Sequence, residues 1–286
     1  MTNPAVAILP YESRLGVFPG RVPLDTCLWP LGRPARLEGP QKTLHDLGPD
    51  DHFLLFTRRS VYLLPRFGTK ARVSLMVLEP QAIQHQQMRL AAMFHRRFYR
   101  ILASNPDLLA SVPNGHLFPL GGSWIGFEAP PPQQKTAMCS LIASGKRDLE
   151  GHALRHSMVD WVRDSGLDVA VMGKGYQPFD SKIEGLGPYR FSVVIENVSE
   201  RNFFTEKLVD AVLCGTVPIY WGCPNLDAFM DTSGMVICRS EQDLRAAVHE
   251  MSVARYNALS PALIAAQDQA ARYSDIYLRA ARAVLD

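Results

Sequence analysis

The chain has 286 residues, more than the roughly 100 to 200 of a typical domain, so two ordinary domains or one large one are expected. Hydrophobic residues make up 47% and charged residues 20%, and the 21 prolines and 20 glycines are scattered, which excludes a disordered protein, a collagen-like repeat and a coiled coil. The 30 Lys and Arg residues are interleaved with 28 Asp and Glu residues, giving a formal net charge of +2. This pattern argues against a nucleic-acid partner, so any anion must be bound locally.

The cysteines and the apolar runs indicate the cellular compartment of the protein. The five cysteines form no C-x-x-C pair, which argues against a disulfide framework or a zinc ribbon and favours a reducing compartment. The first ten residues, Met1–Pro10, contain no basic segment, and no apolar run approaches the roughly 20 residues that span a bilayer. The sequence therefore predicts a cytoplasmic protein without a transmembrane segment.

The first part of the chain combines short strands with one longer helix. Apolar runs bounded by turn residues predict strands at Val6–Leu9, Phe53–Phe56 and Val73–Leu78. After Glu79 the apolar residues recur at helical spacing from Met88 to Phe98. The pattern then predicts a strand at 99–103, a short helix at 107–111, and turns around 117–120.

Three consecutive prolines make Glu128–Lys135 the most linker-like segment, because they stop any helix and favour an extended spacer. This composition predicts one domain at 1–130 and a second at 136–286. The second domain is expected to include a long amphipathic helix over Pro261–Leu285.

Strands and helices alternate in the predicted second domain. The strands are expected at 139–143, 168–172, 189–196, 217–221 and 235–238. The helices are expected at 151–164, 205–214 and 241–251. Such alternation is typical of a mostly parallel, Rossmann-like sheet with crossover helices.

One strand of this domain ends abruptly in polar residues. The apolar run that starts at Tyr189 stops at Glu196, and Thr205 has the chemistry of an N-cap for the next helix. Ligands of doubly wound sheets bind at such strand ends, where helix N-termini favour anions. Lys207 opposes the helix dipole there, so it either contacts a bound phosphate or pairs with a neighbouring acid such as Glu206 or Asp210. Glu196 either caps a loop or accepts hydrogen bonds from the hydroxyls of a ligand.

Several short motifs occur here in a fixed order. They are Tyr189-Arg190-Phe191, Glu196-Asn197, Thr205-Glu206-Lys207-Leu208, Ala211 and Val217-Pro218-Ile219-Tyr220-Trp221-Gly222. Together they resemble the donor-site signature of glycosyltransferase family 10, the α-1,3/4-fucosyltransferases. Upstream, Cys139–Ser144 and Arg155 look like the first strand and first-helix arginine of the family's donor domain. The amino-terminal half is similar only weakly, through Val77–Pro80, Pro113-Asn114 and Gly121–Trp124.

The resemblance implies an α/β protein of the GT-B type, with two Rossmann-like domains facing a cleft and the nucleotide sugar held mainly by the carboxyl-terminal one. It also implies an inverting single displacement, in which an acceptor hydroxyl attacks GDP-fucose and GDP leaves. A carboxylate must accept the acceptor proton, for which Glu79 is the candidate. Cations must stabilise the leaving diphosphate, for which Arg155 and Lys207 are the candidates. The other candidate donor-binding residues are Glu196, Asn197, Phe203, Thr205 and Glu206.

One departure from the family pattern leaves alternatives open. The family usually has tyrosine at the position of Phe203, so a hydroxyl that could contact the donor is missing. Phe203 therefore supports the alternative hypothesis of another GDP- or UDP-sugar donor. A separate alternative is a catalytically silent sugar-nucleotide-binding or scaffold protein. The expected partners are a nucleotide sugar and an oligosaccharide or glycolipid acceptor, with peripheral membrane contact left open.

Metal ions are not expected to be essential. The sequence has no D-x-D motif, the usual cue for a metal-bridged donor site. His152 and His156 have a spacing that can hold zinc, but no third ligand accompanies them. The prediction is therefore an enzyme without a metal site or a required cofactor.

Overall fold

Two five-stranded sheets, all of whose paired strands run parallel, organise residues 3–286, which the computed structural model describes. Met1 and Thr2, the start of the amino-terminal stretch analysed above, lie outside the described residues. The first unit runs to Pro119 and includes Ile276–Asp286, and the second unit comprises Leu120–Asp275. Each unit has its own apolar core.

The first unit orders its strands as they occur in the chain. They are β1 (Val6–Ile8), β2 (His52–Phe56), β3 (Arg72–Val77), β4 (Ile101–Ala103) and β5 (Gly115–Leu117). The helices are α1 (Arg59–Leu63), α2 (Gln81–Met93), α3 (Pro106–Ser111) and, from the end of the chain, α10 (Ile276–Ala283). Strands β1 to β4 are almost completely buried, as β2 illustrates, because helices and loops cover the sheet, whereas β5 at its edge is partly exposed.

The second unit has the strand order of a doubly wound sheet, β7-β6-β8-β9-β10. Its strands are β6 (Ala137–Ile142), β7 (Val169–Met172), β8 (Tyr189–Ile195), β9 (Val217–Trp221) and β10 (Val236–Ile237). Its helices are α4 (Glu150–Ser165), α5 (Lys182–Leu186), α6 (Glu206–Leu213), α7 (Glu241–His249), α8 (Val253–Ala265) and α9 (Gln267–Ala271). The predicted Rossmann-like alternation is confirmed in this unit.

The carboxyl-terminal tail differs from the single helix predicted over Pro261–Leu285. It forms α8, α9 and α10, of which α10 contacts β1 in the first unit. The side chain of Gln267, at the start of α9, donates hydrogen bonds to the carbonyl oxygens of Val212 and Leu213. These carbonyls belong to the last turn of α6, so the side chain of Gln267 adds hydrogen bonds at the carboxyl end of that helix.

The division of the chain also differs from the one expected at the proline-rich segment. The second unit begins at Leu120, and the prolines lie within it. Two backbone hydrogen bonds explain the difference: Gly121 donates to the carbonyl of Phe204, and Gly122 donates to the carbonyl of Tyr273. Composition shows where a chain is extended, but these long-range bonds decide to which unit it belongs.

None of the helices in residues 3–286 combines the length and the apolar character that a membrane span requires.

Candidate functional site

The topology of the second unit defines where a ligand would bind. The chain leaves β6 through α4 towards β7 on one side, and leaves β8 through α6 towards β9 on the other. The carboxyl ends of β6 and β8 therefore flank a topological switch point, where doubly wound sheets open a crevice. The N-termini of α4 and α6 follow these two strands, and their free N–H groups favour an anion.

Glu196 lies directly after β8 and is completely buried. Its carboxylate accepts hydrogen bonds from the backbone N–H and the hydroxyl of Thr205, both at 2.8 Å. Burial raises the pKa of Glu196, and the Lys207 ammonium, 3.7 Å away, opposes this shift. The carboxylate thus connects the end of β8 to the start of α6 and fixes the helix N-terminus in place.

Thr205 begins α6 as predicted. Its side-chain oxygen accepts a hydrogen bond from the backbone N–H of Lys207 at 3.3 Å, which makes it the N-cap. The residue itself is buried. Gly215, with φ at 61°, takes the left-handed conformation that ends this helix.

Arg155 and Asn197 meet at the same point from different elements. Arg155, from the second turn of α4, donates a hydrogen bond to the side-chain oxygen of Asn197 at 2.7 Å. Arg155 is buried, and its Nε atom has no hydrogen-bond partner among the described residues. Burial lowers the pKa of this guanidinium, while Glu196 and Glu206 raise it. A buried cation with an unused donor can form a further hydrogen bond to an anion.

Lys207 and Glu206 occupy the first turn of α6. The Lys207 ammonium lies 3.4 Å from the Glu206 carboxylate, and its side chain is 26% exposed. Burial raises the pKa of Glu206, but Lys207, Lys182 and a backbone hydrogen bond lower it, and the net shift is downward. The conflict between Lys207 and the helix dipole is therefore relieved by neighbouring carboxylates, the second of the two sequence interpretations. The ammonium still remains accessible to a ligand.

Two glycines that the sequence analysis did not select make this geometry possible. A Cβ atom on Gly151 would lie 1.8 Å from the carbonyl oxygen of Glu196, so only glycine lets α4 approach the end of β8. A Cβ atom on Gly222 would lie 2.5 Å from the Cγ atom of Glu196 and 2.6 Å from the hydroxyl of Tyr220. Gly222 was quoted within a motif, but its steric role becomes visible only from contacts across the sheet.

A second group of residues supports α6 from the side. Asp210 is completely buried and accepts a hydrogen bond from the Ser123 hydroxyl at 2.6 Å. The Lys182 ammonium lies 2.8 Å from Asp210 and 4.7 Å from the centroid of the Trp124 ring. Lys182 also donates to the backbone carbonyl of Glu206 at 3.3 Å. No local pattern signals this network, because its members come from three separate segments.

Three aromatic residues of the motifs named above differ in exposure. Tyr220 and Trp221 are buried in β9, whereas Trp124 is 75% exposed beside α6. Phe203 is completely buried, so the structure offers none of its surface to a ligand. The role of Phe203 in donor binding, like that of the other selected residues, stays a prediction.

Glu79, the candidate base, lies in the first unit between β3 and α2. Its backbone N–H donates to the side chain of Gln84 at 3.3 Å, and its side chain is partly exposed. Gln84 departs from helical geometry, with φ at −114° and ψ at 23°. The Glu79 carboxylate thus lies just beyond the carboxyl end of β3, a parallel strand of the first unit.

The two candidate zinc histidines have other partners. His152 is bonded to the Asp148 carboxylate, and His156 is bonded to the Tyr176 hydroxyl and the Lys146 carbonyl. In the part of the chain that the structure describes, no group of three His, Cys, Asp or Glu residues is arranged to hold a metal ion. Both histidines thus serve the packing of α4.

Comparisons with known sequences agree with the motifs around this site. Residues 132–253 match the model of glycosyltransferase family 10 (fucosyltransferase), carboxyl-terminal part. A fucosyltransferase-like protein of Arabidopsis thaliana is 23% identical over 199 residues, 68% of this chain and 37% of that protein. The alpha-(1,3)-fucosyltransferase FucT of Helicobacter pylori is 41% identical over 46 residues, 16% of this chain and 10% of that protein. The chain thus spans well under half the length of these curated relatives.

Solved structures share the fold at low sequence identity. An α1,3-fucosyltransferase superposes with a TM-score of 0.51 at 16% identity, covering 77% of this chain and 73% of the other. TarM gives a TM-score of 0.53 at 10% identity, covering 83% and 54%. The pneumococcal O-GlcNAc transferase GtfA gives 0.52 at 11% identity, covering 84% and 58%. These matches confirm the predicted α/β fold class of the GT-B type. Residues 132–253, which contain the strand-end motifs around Glu196, are therefore similar to the carboxyl-terminal part of glycosyltransferase family 10.

Proposed function

We propose that this chain is a glycosyltransferase that transfers fucose from GDP-fucose to a hydroxyl of an oligosaccharide or glycolipid acceptor, with inversion at the anomeric carbon. The observation that carries the proposal is the placement of Arg155 and Lys207 at the switch point of the second unit. Arg155 comes from α4 and Lys207 from α6, and both cations interact electrostatically with the Glu196 carboxylate at the end of β8. Two cations beside two helix N-termini are suited to a diphosphate.

The proposed reaction divides its work between cations and a base. Arg155 and Lys207 stabilise the charge that develops on the leaving GDP, with no divalent ion required. Glu79 accepts the proton of the attacking hydroxyl. Glu196 and Asn197 act mainly on the protein side, since they hold Thr205 and Arg155 in place. Glu206 is the carboxylate of α6 that remains for contact with donor hydroxyls.

Ligand-induced stabilisation tests the diphosphate site. GDP that binds only the folded protein at a hundredfold excess over Kd should add about 2.7 kcal/mol to the unfolding free energy, and guanosine should add much less. Lys207→Ala should remove most of the difference between the two ligands. Lys174→Ala, at an exposed position of the same unit, is the matched control. An unchanged GDP response in Lys207→Ala would remove this residue from the site.

Steady-state kinetics tests the base. Glu79→Gln should bind GDP normally and transfer sugar about 10²- to 10⁴-fold more slowly, because removal of a general base affects the transition state. Glu12→Gln, an exposed carboxylate of the same unit, should transfer at the normal rate. Near-normal transfer by Glu79→Gln would place the base elsewhere.

Chelation tests the role of metal ions. Transfer should persist in excess EDTA, because the cationic side chains supply the charge that a divalent ion would supply. Loss of activity that Mn²⁺ or Mg²⁺ restores would contradict the metal-free mechanism.

A screen of donors tests the alternatives. The buried phenyl ring of Phe203 in place of the family's tyrosine supports a donor other than GDP-fucose. A larger thermal shift with another GDP- or UDP-sugar, together with transfer of that sugar, would favour this alternative. Binding of a nucleotide sugar without either transfer or hydrolysis would favour a silent binding protein.

A further inference from the structure

An apolar tip projects from the first unit. Val17 and Phe18, two consecutive residues of the loop between β1 and β2, are 82% and 66% exposed. Gly16 before them has φ at 66°, and Pro19 after them is buried, so the backbone turns sharply and is anchored behind the tip. Leu63, at the end of α1, is 83% exposed. Large apolar side chains that are exposed next to one another often mark an interaction surface.

The tip borders an open cleft of about 650 Å³. Its lining comes from three segments, 17–21, 43–45 and 65–68. Gly20 and Gly68 bring two of these segments into contact, since a Cβ atom on Gly20 would lie 2.6 Å from the Gly68 carbonyl oxygen. Neither glycine has room for a side chain, so the backbones pack directly and define the cleft.

Two arginines border this apolar surface. The Arg21 guanidinium lies 5.1 Å from the centroid of the Phe18 ring, and Arg66 and His45 line the same cleft. Among the described residues that line the cleft, none is acidic. The charge of the whole unit has the same sign: 16 Lys and Arg residues accompany nine Asp and Glu residues, whereas the second unit has 14 and 19. The near-neutral net charge of the whole chain is therefore the sum of a basic first unit and an acidic second unit.

We propose that this tip and cleft dock the first unit onto an anionic lipid surface. Val17 and Phe18 enter the interfacial region of the bilayer, and Arg21 and Arg66 contact lipid phosphates. Apolar side chains bordered by Arg bind at such interfaces, where the aliphatic part of Arg packs on apolar groups and its charge stays at headgroup level. An extended anionic plane also attracts the net positive charge of the whole unit, which a small neutral partner would not do. The inference does not depend on the proposed reaction.

Vesicle flotation of the full chain tests this inference. The protein should bind vesicles made of equal parts phosphatidylcholine and phosphatidylglycerol, bind pure phosphatidylcholine far more weakly, and dissociate as salt is raised. Val17→Ser combined with Phe18→Ser should weaken binding about tenfold or more, because the apolar contact is lost. Arg21→Gln combined with Arg66→Gln should weaken binding by roughly 10- to 30-fold and reduce its salt dependence.

Matched variants in the second unit distinguish binding through this surface from non-specific binding of the protein to vesicles. Ile264→Ser, at a position 56% exposed on α8, and the exposed Arg239→Gln should leave vesicle binding unchanged. All these positions are exposed, and circular dichroism should confirm that each variant is folded. Equal binding to both vesicle types, no binding to either, or normal binding by the tip variant would overturn the proposal. Self-association that the tip variant abolishes, without vesicle binding, would instead identify a contact between two copies.

Discussion

The ion pair between Lys182 and Asp210 should be a major source of stability in the second unit. The two side chains are 8% and 0% exposed, and their charged atoms lie 2.8 Å apart. Lys182→Met removes the cation and leaves the Asp210 carboxylate buried, with the neutral hydrogen-bond donors of Ser123 and Trp124 beside it. Removing one partner of a buried pair typically costs about 3–5 kcal/mol, because the remaining charge is uncompensated. We expect Lys182→Met to lose unfolding free energy in this range.

Guanidinium unfolding followed by tryptophan fluorescence measures this loss. The double variant Lys182→Met with Asp210→Asn should recover part of it, because neither charge then remains buried, and the coupling energy should fall at about 0.5–3 kcal/mol. Lys42→Met is the control, since Lys42 pairs with Asp46 at the surface, with exposures of 37% and 33%. That variant should change stability by less than about 1 kcal/mol.

Two outcomes would contradict a buried, stabilising ion pair between Lys182 and Asp210. If Lys182→Met is no more destabilising than Lys42→Met, then water reaches Asp210 and the pair is not buried in solution. If the double variant is as unstable as the sum of the single variants, the two charges do not interact. Either result would remove the basis for assigning Lys182 a role in supporting α6.

Three further predictions concern packing, acid stability and turnover. Gly222→Ala should lower the unfolding free energy, measured by calorimetry, by about 1–3 kcal/mol and weaken GDP binding, because its Cβ would collide with Glu196. Gly145→Ala, whose Cβ would have no atom within 4 Å, should leave the unfolding free energy unchanged in the same measurement. Burial, reinforced by neighbouring arginines, lowers the pKa of His52 from 6.5 to about 4, so the folded state binds fewer protons than the unfolded state. The unfolding free energy should therefore fall as pH drops from 6.5 towards 4, by at most about 1.4 kcal/mol per pH unit from this group, and His52→Phe should flatten that part of the profile; an unchanged profile would contradict the assignment. Glu196→Gln should weaken both GDP binding and transfer, since Thr205 loses a charged acceptor, whereas unchanged binding would show that the helix start does not need it.

Local chemistry explains why much of the second unit could be predicted from the sequence. The run from Tyr189 to Ile195 is apolar and of strand length, and it forms β8. Thr205 caps α6 by accepting a hydrogen bond from the backbone N–H of Lys207, two positions further on. Gly215 ends the helix because glycine readily adopts the left-handed backbone conformation. Such features depend on neighbours in the chain, so a pattern of residue types is sufficient to reveal them.

Three short elements, β5, α1 and α5, were not predicted, because contacts with other segments rather than local propensity stabilise them. The strand β5 starts at Gly115 and contains three residues, and it exists because its backbone pairs with β4. The helices α1 and α5 have five residues each, too few for a periodic apolar pattern. Their positions are decided by contacts with distant segments.

The sequence by itself determined the fold class, the elements around the candidate site and the family motifs that mark it. Only the tertiary structure decided that Gly151 and Gly222 make room for Glu196, and that Lys182 lies against Asp210, 28 positions further along the chain. It also decided that α10 belongs to the first unit, where Arg100 donates a hydrogen bond to the carbonyl of Ala283. The physical reason is the same in each case: steric fit and charge pairing act between atoms that folding brings together, and their separation along the chain leaves no local signal.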